Sequence, residues 1–348
     1  MAENISMNRE LLISFVIPVY NSKDYIADCI YSIINQDIDK SIYEIICVDD
    51  CSTDGSYDLL KELEKEISCL KIIQNSKNSG VSYTRNYGLS NSHGKYVRFV
   101  DSDDLIYPGC LKKSIELLNE NEPDVLVGNY IKVPENTKLY ENFEVKEFNT
   151  TYSCYEKVFD AAPIEINDNK PMLSTTMSFF NRDFLNKGNI KYDENIPISE
   201  ELDFYLAFPK SCRIIKMNAI CYLYRYREGS LVNSKKRYKR GYEAASYILE
   251  KYISKNGVYS DKNKEEKKNF TDTVAVMKHN IANSLVLVDD YTYVKEQLRI
   301  LEQKGFYPYP FNISALKTNR QPLYKRLALF LLPIKPIFLL VNKVFTKK

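Results

Sequence analysis

Histidine is scarce in this chain of 348 residues, and its cysteines never occur in the C-x-x-C spacing typical of metal and redox sites. The only histidines are His93 and His279, and the eight cysteines are scattered along the sequence. Zinc and haem sites usually need histidine or closely spaced cysteine ligands, so this scarcity argues against both. Any bound metal is therefore expected to have oxygen ligands.

Several sequence motifs for phosphate, calcium and nucleic-acid binding are also missing. A dinucleotide site would have G-x-G-x-x-G after the first strand, where this chain has PVYNSKDY, and there is no G-x-x-x-x-G-K-[ST] loop. EF-hand loops starting at Asp50 or Asp101 fail, because Lys61 replaces the required Glu and Ile106 the required Gly. The net charge of +2, from 48 basic and 46 acidic residues, gives no overall field that would attract nucleic acid.

Neither end of the sequence has the pattern of a signal peptide or a membrane-spanning helix. Residues 1–10 are polar, which predicts a cytoplasmic protein with reduced thiols. Residues 323–345 are apolar but interrupted by Pro333, Lys335 and Pro336, so we expect an amphipathic segment on the inner membrane face. Its candidate contacts with anionic lipid are Lys325, Arg326, Lys343, Lys347 and Lys348. The alternative is a C-terminal helix packed on the domain or on another subunit.

The first part of the chain alternates short apolar runs with helical periodicity. The predicted strands are 13–19, 44–49, 70–73, 95–100 and 124–128. Helical faces lie between them, for example Ile26, Ile30 and Ile33, and Leu60 with Leu63. This alternation predicts an α/β fold with a mostly parallel sheet and helices on both faces. Helical, charged sequence follows this part. We therefore predict an α/β domain at residues 1–230, with halves at about 12–130 and 131–230. A helical extension at 231–322 and the amphipathic segment at 323–348 would follow it.

Unusual polar residues follow four of the predicted strands, at the edge of the sheet where ligands bind in open α/β folds. Among them, the stretch RFVDSDDLIYPG places three carboxylates, Asp101, Asp103 and Asp104, after a buried strand. Residues i and i+2 of an extended segment point the same way, so Asp101 and Asp103 can face one cation. Oxygen ligands that leave open positions suit Mg²⁺ or Mn²⁺ shared with a substrate diphosphate.

Four motifs occur in the order FVIPVYN (15–21), EIICVDDCSTDGS (44–56), NSGVSYTRNYGL (78–89) and GKYVRFVDSDD (94–104). This series resembles family 2 of the nucleotide-sugar glycosyltransferases, strongly over residues 12–130 and more faintly to about residue 232. The resemblance implies a GT-A fold, a Rossmann-like sheet with helices on both faces, here followed by a mainly helical C-terminal region. It also implies a nucleoside-diphosphate sugar as donor, such as a UDP-sugar.

The resemblance implies a role for individual residues of these motifs. Pro18 and Tyr20 would line the base pocket, Asp50 would accept a hydrogen bond from the base, and Asn78 and Arg85 would lie near the nucleotide and its phosphates. Asp101-Ser102-Asp103 would be the D-x-D motif, with Asp103 the most direct metal ligand, Asp101 near the ribose or metal, and Ser102 a contact of the nucleotide. In YRYREGS (224–230), Arg225 and Arg227 would contact the diphosphate, although the histidine frequent in this segment is absent.

The base that removes the acceptor proton is expected in ISEELDF (198–204). Inverting members of the family have a Glu-Asp pair ahead of an apolar helix, and alignment places Glu201 at the Asp position. A carboxylate within hydrogen-bond reach of the hydroxyl suffices for this task. Glu200 and Asp203 are the alternatives, and acids at a helix start also match its dipole.

The combined interpretation is an inverting, metal-dependent glycosyltransferase. We expect it to extend a saccharide during surface-polysaccharide synthesis, and the amphipathic C-terminal segment favours a lipid-linked acceptor. We expect no nucleic-acid partner, and this interpretation allows a homo-oligomer. One alternative is a sugar-phosphate nucleotidyltransferase, although the Gly-rich loop of such enzymes is missing after the first strand. Another is a non-catalytic nucleotide-sugar-binding component of a polysaccharide assembly complex.

Overall fold

The chain forms two compact units. The first comprises Met1–Val158, Ile164–Asn195 and Glu200–Arg227, and the second comprises Phe159–Pro163, Ile196–Ser199 and Glu228–Lys348. A computed structural model describes the following residues: 11–137, 153–155, 174–198, 200–209, 211–226, 236–256, 274, 277–278, 281–282, 284–308 and 332–346.

Four parallel strands form the first part of the sheet. They are β1 (Ile13–Val19), β2 (Tyr43–Asp49), β3 (Leu70–Gln74) and β4 (Tyr96–Phe99), in the spatial order β3-β2-β1-β4. Every residue of β1 and β2 is buried. Near-continuous apolar runs of this kind are typical of parallel strands covered on both faces. The predicted α/β sheet is confirmed here, with strand ends within two residues of those expected.

The second part of the sheet contains antiparallel pairings that the sequence pattern did not indicate. Its strands are β5 (Leu105–Ile106), β6 (Val125–Pro134), β7 (Ser153–Tyr155), β8 (Ser178–Asn181) and β9 (Ile214–Tyr226). The order continues β4-β8-β6-β9-β5, and β7 also pairs with β9. β8 is antiparallel to both neighbours, whereas β6 and β9 are parallel. The long strand β9 thereby runs beside the loop that follows β4.

Helices on the sheet follow the predicted apolar faces. They are α1 (Lys23–Ile34), α2 (Ser56–Glu66), α3 (Val81–Ser90), α4 (Cys110–Asn121), α5 (Arg182–Lys187) and α6 (Glu200–Leu206). Helix α3 lies very close to β1, because a Cβ atom on Gly88 would come within 2.3 Å of Val16 Cγ1. This close approach fixes the helix that carries Arg85 against the carboxyl ends of the strands.

An aromatic cluster holds helix α6 on the sheet. The Phe204 ring stacks on Tyr192 with centroids 4.6 Å apart and meets Phe180 edge-on at 5.3 Å. Phe99 of β4 contacts Tyr192 at 5.3 Å. Such pairs stabilise a fold beyond their buried area. The cluster therefore links β4, which precedes the acidic loop, to the helix that starts with Glu200 and Glu201.

The second unit is helical where the structure describes it, with helices α7 (Lys236–Asn256), α8 (Tyr291–Gln303) and α9 (Lys335–Thr346). Helix α9 buries Phe338 and Asn342, and the Asn342 amide donates to the carbonyls of Val286 and Val288, each at 2.9 Å. Part of the predicted membrane-surface segment thus packs on its own unit. In the described part of the chain, no helix is long and apolar enough to cross a bilayer.

Candidate active site

The acidic loop after β4 is anchored through its last carboxylate. Asp104 is 1% exposed, and it accepts hydrogen bonds from the Tyr222 hydroxyl and the Arg225 backbone N–H, both at 2.8 Å. Burial, followed by the charges of Asp103 and Asp101, raises the pKa of Asp104 well above its ordinary value. Asp104 therefore fixes the loop to β9, while Asp101 and Asp103 are only half-buried.

Ser102 ties the acidic loop to the loop after β1. Its hydroxyl oxygen lies 2.6 Å from that of Ser22, and both side chains are buried. The Ser22 backbone N–H in turn donates to the Ser56 hydroxyl at 2.9 Å. The predicted contact between Ser102 and the nucleotide stays a prediction, and in this structure the hydroxyl joins two of the loops around the crevice.

Arg85 connects the acidic loop with helix α6. Its guanidinium donates to Asp101 Oδ1 at 2.8 Å and to Glu200 Oε1 at 2.5 Å, and it lies 5.2 Å from the Tyr192 ring centroid. Burial alone would lower the pKa of Arg85, but nearby negative charge, first that of Asp101, raises it well above its ordinary value. Arg85 is only 4% exposed, so this bridge is a fixed part of the site rather than a surface ion pair.

Glu201 is held by residues immediately before β8. Its Oε1 atom accepts hydrogen bonds from the Thr175 N–H at 2.9 Å, the Thr175 hydroxyl at 2.5 Å and the Ser174 hydroxyl at 3.1 Å. Loss of water around the carboxylate raises the pKa of Glu201, partly offset by the Arg85 charge and the Thr175 bonds. All three of these hydrogen bonds fall on Oε1 rather than on Oε2, and Glu201 as the base stays a prediction.

The two other candidates for the base differ from Glu201 in their surroundings. Glu200 is buried, and its Oε1 atom is already engaged in the ion pair with Arg85. Asp203 is half-buried two residues further along α6. The structure brings Glu200 and Glu201 to the Arg85 cluster, and Asp203 as the base stays a prediction.

The nucleotide end of the crevice is organised around Asp50. Its carboxylate is 3% exposed and accepts hydrogen bonds from the Asn75 amide and from the backbone N–H groups of Ser79 and Gly80, all at 2.8 Å. A carboxylate has about four acceptor positions, which leaves room for one donor from a base. Asp50 thus holds together the loops after β2 and β3.

The remaining predicted nucleotide contacts lie around the same strand ends. Tyr20 follows Pro18 at the end of β1 and is 50% exposed, and Asn78 is also exposed. Asn21 and Cys51, in the turns after β1 and β2, adopt positive φ angles of 50° and 62°. Residues held in this strained region are frequent at functional sites.

Arg225 is directed into the protein. It is 3% exposed and donates to Asp28 Oδ2 at 2.8 Å and to the Thr137 carbonyl at 2.9 Å, with a longer contact of 3.5 Å to the Asp103 carbonyl. Its predicted contact with a diphosphate stays a prediction, and Arg227 lies outside the described residues, as do Lys325, Arg326, Lys347 and Lys348.

The carboxylates of the acidic loop fit a divalent cation that shares its ligands with a donor. Asp101 uses one oxygen for Arg85, and Asp103 stands two residues away on the same loop, so two half-buried carboxylates lie close together in sequence. Within the described ranges, no three Asp, Glu, His or Cys side chains form a group able to hold a metal by themselves. A cation here would therefore bind Asp103 and Asp101 and take its other ligands from phosphate and water.

Tyr222, Ser22 and Thr175 were not found by sequence reasoning. Tyr222 is one of three alternate tyrosines in CYLYRY, and its hydroxyl both donates to Asp104 and accepts from the Asp101 N–H at 3.2 Å. Nothing in that alternation separates Tyr222 from its exposed neighbour Tyr226. Only the pairing of β9 beside the acidic loop assigns it this place.

Removing the Tyr222 hydroxyl is expected to loosen the acidic loop. Tyr222→Phe leaves a buried oxygen of Asp104 and the Asp101 N–H without their partner, so we expect the free energy of unfolding to fall by about 2 kcal/mol. Mn²⁺ binding should weaken as well, which calorimetric titration measures. Tyr43→Phe is the control. Tyr43 is as buried as Tyr222, but it is the first residue of β2 and so lies at the end of that strand away from the candidate site. Unchanged stability and Mn²⁺ affinity in Tyr222→Phe would contradict the assignment.

Comparison with known proteins identifies the family. The family model described as "Glycosyl transferase family 2" matches residues 14–188, which is half of the chain and includes β1 to β4, the acidic loop and β8. The chain belongs to glycosyl transferase family 2. The four motifs between residues 15 and 104 that resemble this family lie within the matched residues, whereas ISEELDF (198–204) and YRYREGS (224–230) lie beyond them.

Relatives of this family 2 chain include proteins of bacterial cell-surface polymer synthesis. A poly(ribitol-phosphate) beta-glucosyltransferase of Bacillus spizizenii is 44% identical over 117 residues, which is 33% of this chain and 18% of that protein. Glycosyltransferase GlyG of Streptococcus pneumoniae is 25% identical over 226 residues, covering 64% of this chain and 73% of that protein. The matched region is thus less than a fifth of the first relative.

Solved structures confirm the predicted GT-A fold of the family 2 chain. Staphylococcus aureus TarS 1–349 in complex with UDP aligns with a TM-score of 0.52 and 22% identity, covering 87% of this chain and 94% of that one. The mannosyltransferase PcManGT from Pyrobaculum calidifontis, in complex with GDP-Man and Mn²⁺, aligns with a TM-score of 0.55 and 14% identity, covering 96% and 86%. At this level of identity the likeness concerns the fold alone.

Proposed function

We propose that this protein is an inverting glycosyltransferase that moves a sugar from a nucleoside-diphosphate sugar to an acceptor hydroxyl. The acceptor oxygen forms a bond to the anomeric carbon while the bond from that carbon to the diphosphate oxygen breaks on the opposite face. Glu201 Oε2 takes the hydroxyl proton, and the nucleoside diphosphate departs with the bonding electrons. The carboxylate thus increases the nucleophilicity of the attacking oxygen at the moment of transfer.

The observation that carries this proposal is the Arg85 bridge. One guanidinium binds both Asp101 of the acidic loop and Glu200, the residue next to Glu201. The acidic loop, which is suited to binding a donor diphosphate through a cation, and Glu201, which is suited to removing a proton, are therefore held in one rigid arrangement. Proximity of this kind lowers the barrier by orienting the reactants before they react.

A divalent cation bound at Asp103 and Asp101 would neutralise charge on the diphosphate and so stabilise the leaving group. The chain's own contribution is to hold these carboxylates, through Asp104 on Tyr222 and Arg225, and through Arg85 on Asp101. The presence of GDP-Man with Mn²⁺ in one structural neighbour supports Mn²⁺ or Mg²⁺ as the ion.

We propose UDP-linked sugar as the donor. Structural neighbours from Staphylococcus aureus contain UDP or UDP-GlcNAc, and Asp50 keeps one acceptor position for a base N–H at the nucleotide end of the crevice. Tyr20, half-exposed after Pro18, is suited to contact the face of the base.

The proposed acceptor is a saccharide or sugar-phosphate polymer of the bacterial surface, carried on a lipid. This part rests on relatives named for poly(ribitol-phosphate) and minor teichoic acid synthesis and on the apolar C-terminal residues. It implies work at the inner face of the membrane, by a protein attached to that face without crossing it.

A panel of nucleotide sugars tests the proposal. We expect one UDP-sugar to bind with higher affinity when Mn²⁺ is present, and UDP to be released faster when an acceptor is added. Calorimetric titration measures binding, and a coupled assay measures free UDP. Equal turnover without any divalent cation would contradict the role of Asp103. Formation of free diphosphate from UTP and a sugar phosphate would instead assign the protein to the nucleotidyltransferases.

A further inference from the structure

The net charge of this chain is only +2, but its basic and acidic residues are distributed unevenly along the sequence. Residues 228–348, the continuous part of the second unit, contain 23 Lys and Arg against 11 Asp and Glu. Residues 1–227 contain 25 basic and 35 acidic residues. The formal charges are therefore +12 and −10. An asymmetry of this size indicates that the C-terminal part binds an anionic partner.

Ion pairs inside the second unit do not remove this excess. Where the structure describes the unit, Glu250 pairs with Lys304, and Glu302 with Lys335, both at 2.6 Å. Each pair cancels one charge of either sign, so the surplus of twelve positive charges remains. Exposed basic residues include Lys239 and Arg240 on α7 and Lys343 on α9.

Helix α9 adds apolar groups to this basic surface. Its packed face buries Phe338, Val341 and Asn342, whereas Leu340 is 61% exposed, and Ile334 immediately before the helix is 39% exposed. Lys343, one turn beyond Leu340, is also exposed. Aliphatic side chains beside lysine on the outer face of a packed helix are suited to the boundary between headgroups and acyl chains.

We propose that the net positive charge of residues 228–348, and not the C-terminal segment alone, attaches this protein to an anionic bilayer. The surplus lysine and arginine side chains attract acidic headgroups, and the exposed aliphatic side chains of the α9 region enter the interface. A soluble polyanion, such as nucleic acid or a phosphate polymer, would satisfy the charges but leave Leu340 and Ile334 in water. The bilayer accounts for both features.

This inference deepens the proposed function. It rests on that function only for the reason why the protein would attach to a membrane, which is access to a lipid-linked acceptor. It also changes what is expected of the tail. Residues 323–348 contain six Lys and Arg and no acidic residue, so residues 228–322 keep a formal charge of +6 without them. Deleting the tail should therefore weaken attachment without abolishing it, and basic residues outside the tail should contribute.

Co-sedimentation of the full chain with vesicles tests the attachment. We expect binding to vesicles of phosphatidylglycerol mixed with phosphatidylcholine and much weaker binding to phosphatidylcholine alone. Because each lysine near an anionic leaflet contributes about fivefold in affinity, Lys239→Glu with Arg240→Glu should weaken binding at least about tenfold. Binding should also be lost at about 1 M salt, where the screening length falls to about 3 Å.

A matched double variant controls for net charge. Lys65→Glu with Lys112→Glu makes the same change at exposed positions of the first unit and should leave vesicle binding unchanged. Leu340→Ser should weaken binding to anionic vesicles at low salt and leave its salt dependence unchanged, since it removes only the apolar contribution. Circular dichroism and the midpoint of thermal unfolding show whether each variant is folded.

The proposal would be overturned if anionic and zwitterionic vesicles bound equally, if no vesicle bound, or if both double variants lost binding to the same extent. Capture by a soluble phosphate polymer without vesicle binding would assign the surface to a polymeric partner instead. Asp103→Asn should bind vesicles like the unmodified protein. Loss of turnover with intact attachment, or the reverse, therefore separates this inference from the proposed function.

Discussion

Replacing Glu201 by glutamine is expected to lower kcat by about 10³-fold, since general base catalysis contributes 10²–10⁴-fold in enzymes. Glutamine keeps an oxygen that accepts the bonds from Thr175 and Ser174, so the shape of the site is retained. The affinity for the nucleotide sugar should change little, because we assign this carboxylate to the acceptor hydroxyl and not to the donor. Steady-state kinetics with calorimetric titration of the donor separates the two effects.

The same variant is expected to be at least as stable as the unmodified protein near neutral pH. The folded-state pKa of Glu201 is raised above the value of about 4.3 for an unfolded chain. A raised carboxyl pKa stabilises the fold below the unfolded pKa, and this contribution is lost as the pH rises through the folded pKa. Glutamine removes the cost of ionisation, so the stability advantage should shrink as the pH falls toward about 4.

Asp203→Asn is the matched control, because it removes one carboxylate from the same helix two residues away. It should retain most of the activity if Glu201 is the base. Activity of the unmodified protein should fall as the pH drops through the raised pKa of Glu201, since only the ionised carboxylate accepts a proton. A large loss in Asp203→Asn with full activity in Glu201→Gln would assign the base to Asp203.

Asp103→Asn is expected to abolish the stimulation of turnover by Mn²⁺, with a loss of about 10³-fold at saturating donor. Stabilisation of charge on a leaving group by a metal is worth several kcal/mol, and the variant removes the carboxylate that we assign as its most direct ligand. Binding of UDP without metal should be unchanged. Titration of Mn²⁺ in the presence of UDP measures the metal affinity independently of turnover.

Asp104→Asn is the informative comparison for Asp103→Asn. Asp104 is buried on Tyr222 and Arg225, and its raised pKa means that a neutral amide in its place costs little electrostatic energy. We expect its Mn²⁺ affinity to fall far less than that of Asp103→Asn. Equal losses of metal affinity would show that the three acids act together as ligands, contrary to the division of roles argued from their burial.

The first four strands were predictable because their signals are local. The runs at 13–19 and 44–49 are apolar on both faces and are followed by turn residues, which is enough to indicate buried parallel strands. β5 and β8 are only two and four residues long, and they exist through pairing with β9 and with β4 and β6. Such short segments have no periodicity of their own.

The candidate site was predictable to the level of its loops. Parallel strands end at one edge, so Asp50, Arg85 and the acidic loop were expected there, and the structure joins Arg85 directly to Asp101. The partners of each side chain were not predictable in the same way. The guanidinium of Arg225, for example, binds Asp28 and Thr137, partners that its motif did not indicate, and its contact with a diphosphate stays a prediction.

The sequence alone determined the class of fold, the family and the acidic loop, since these depend on patterns that recur over a few residues and on motifs in a fixed order. The charges of residues 1–227 and 228–348 follow from a count of the sequence, but the boundary between these two parts comes from the folded units. The tertiary structure decided which acids are buried, which arginine bridges them and which tyrosine holds them. Those properties depend on contacts between residues as far apart as Arg85 and Glu200, or Asp104 and Tyr222, and such contacts exist only after the chain has folded.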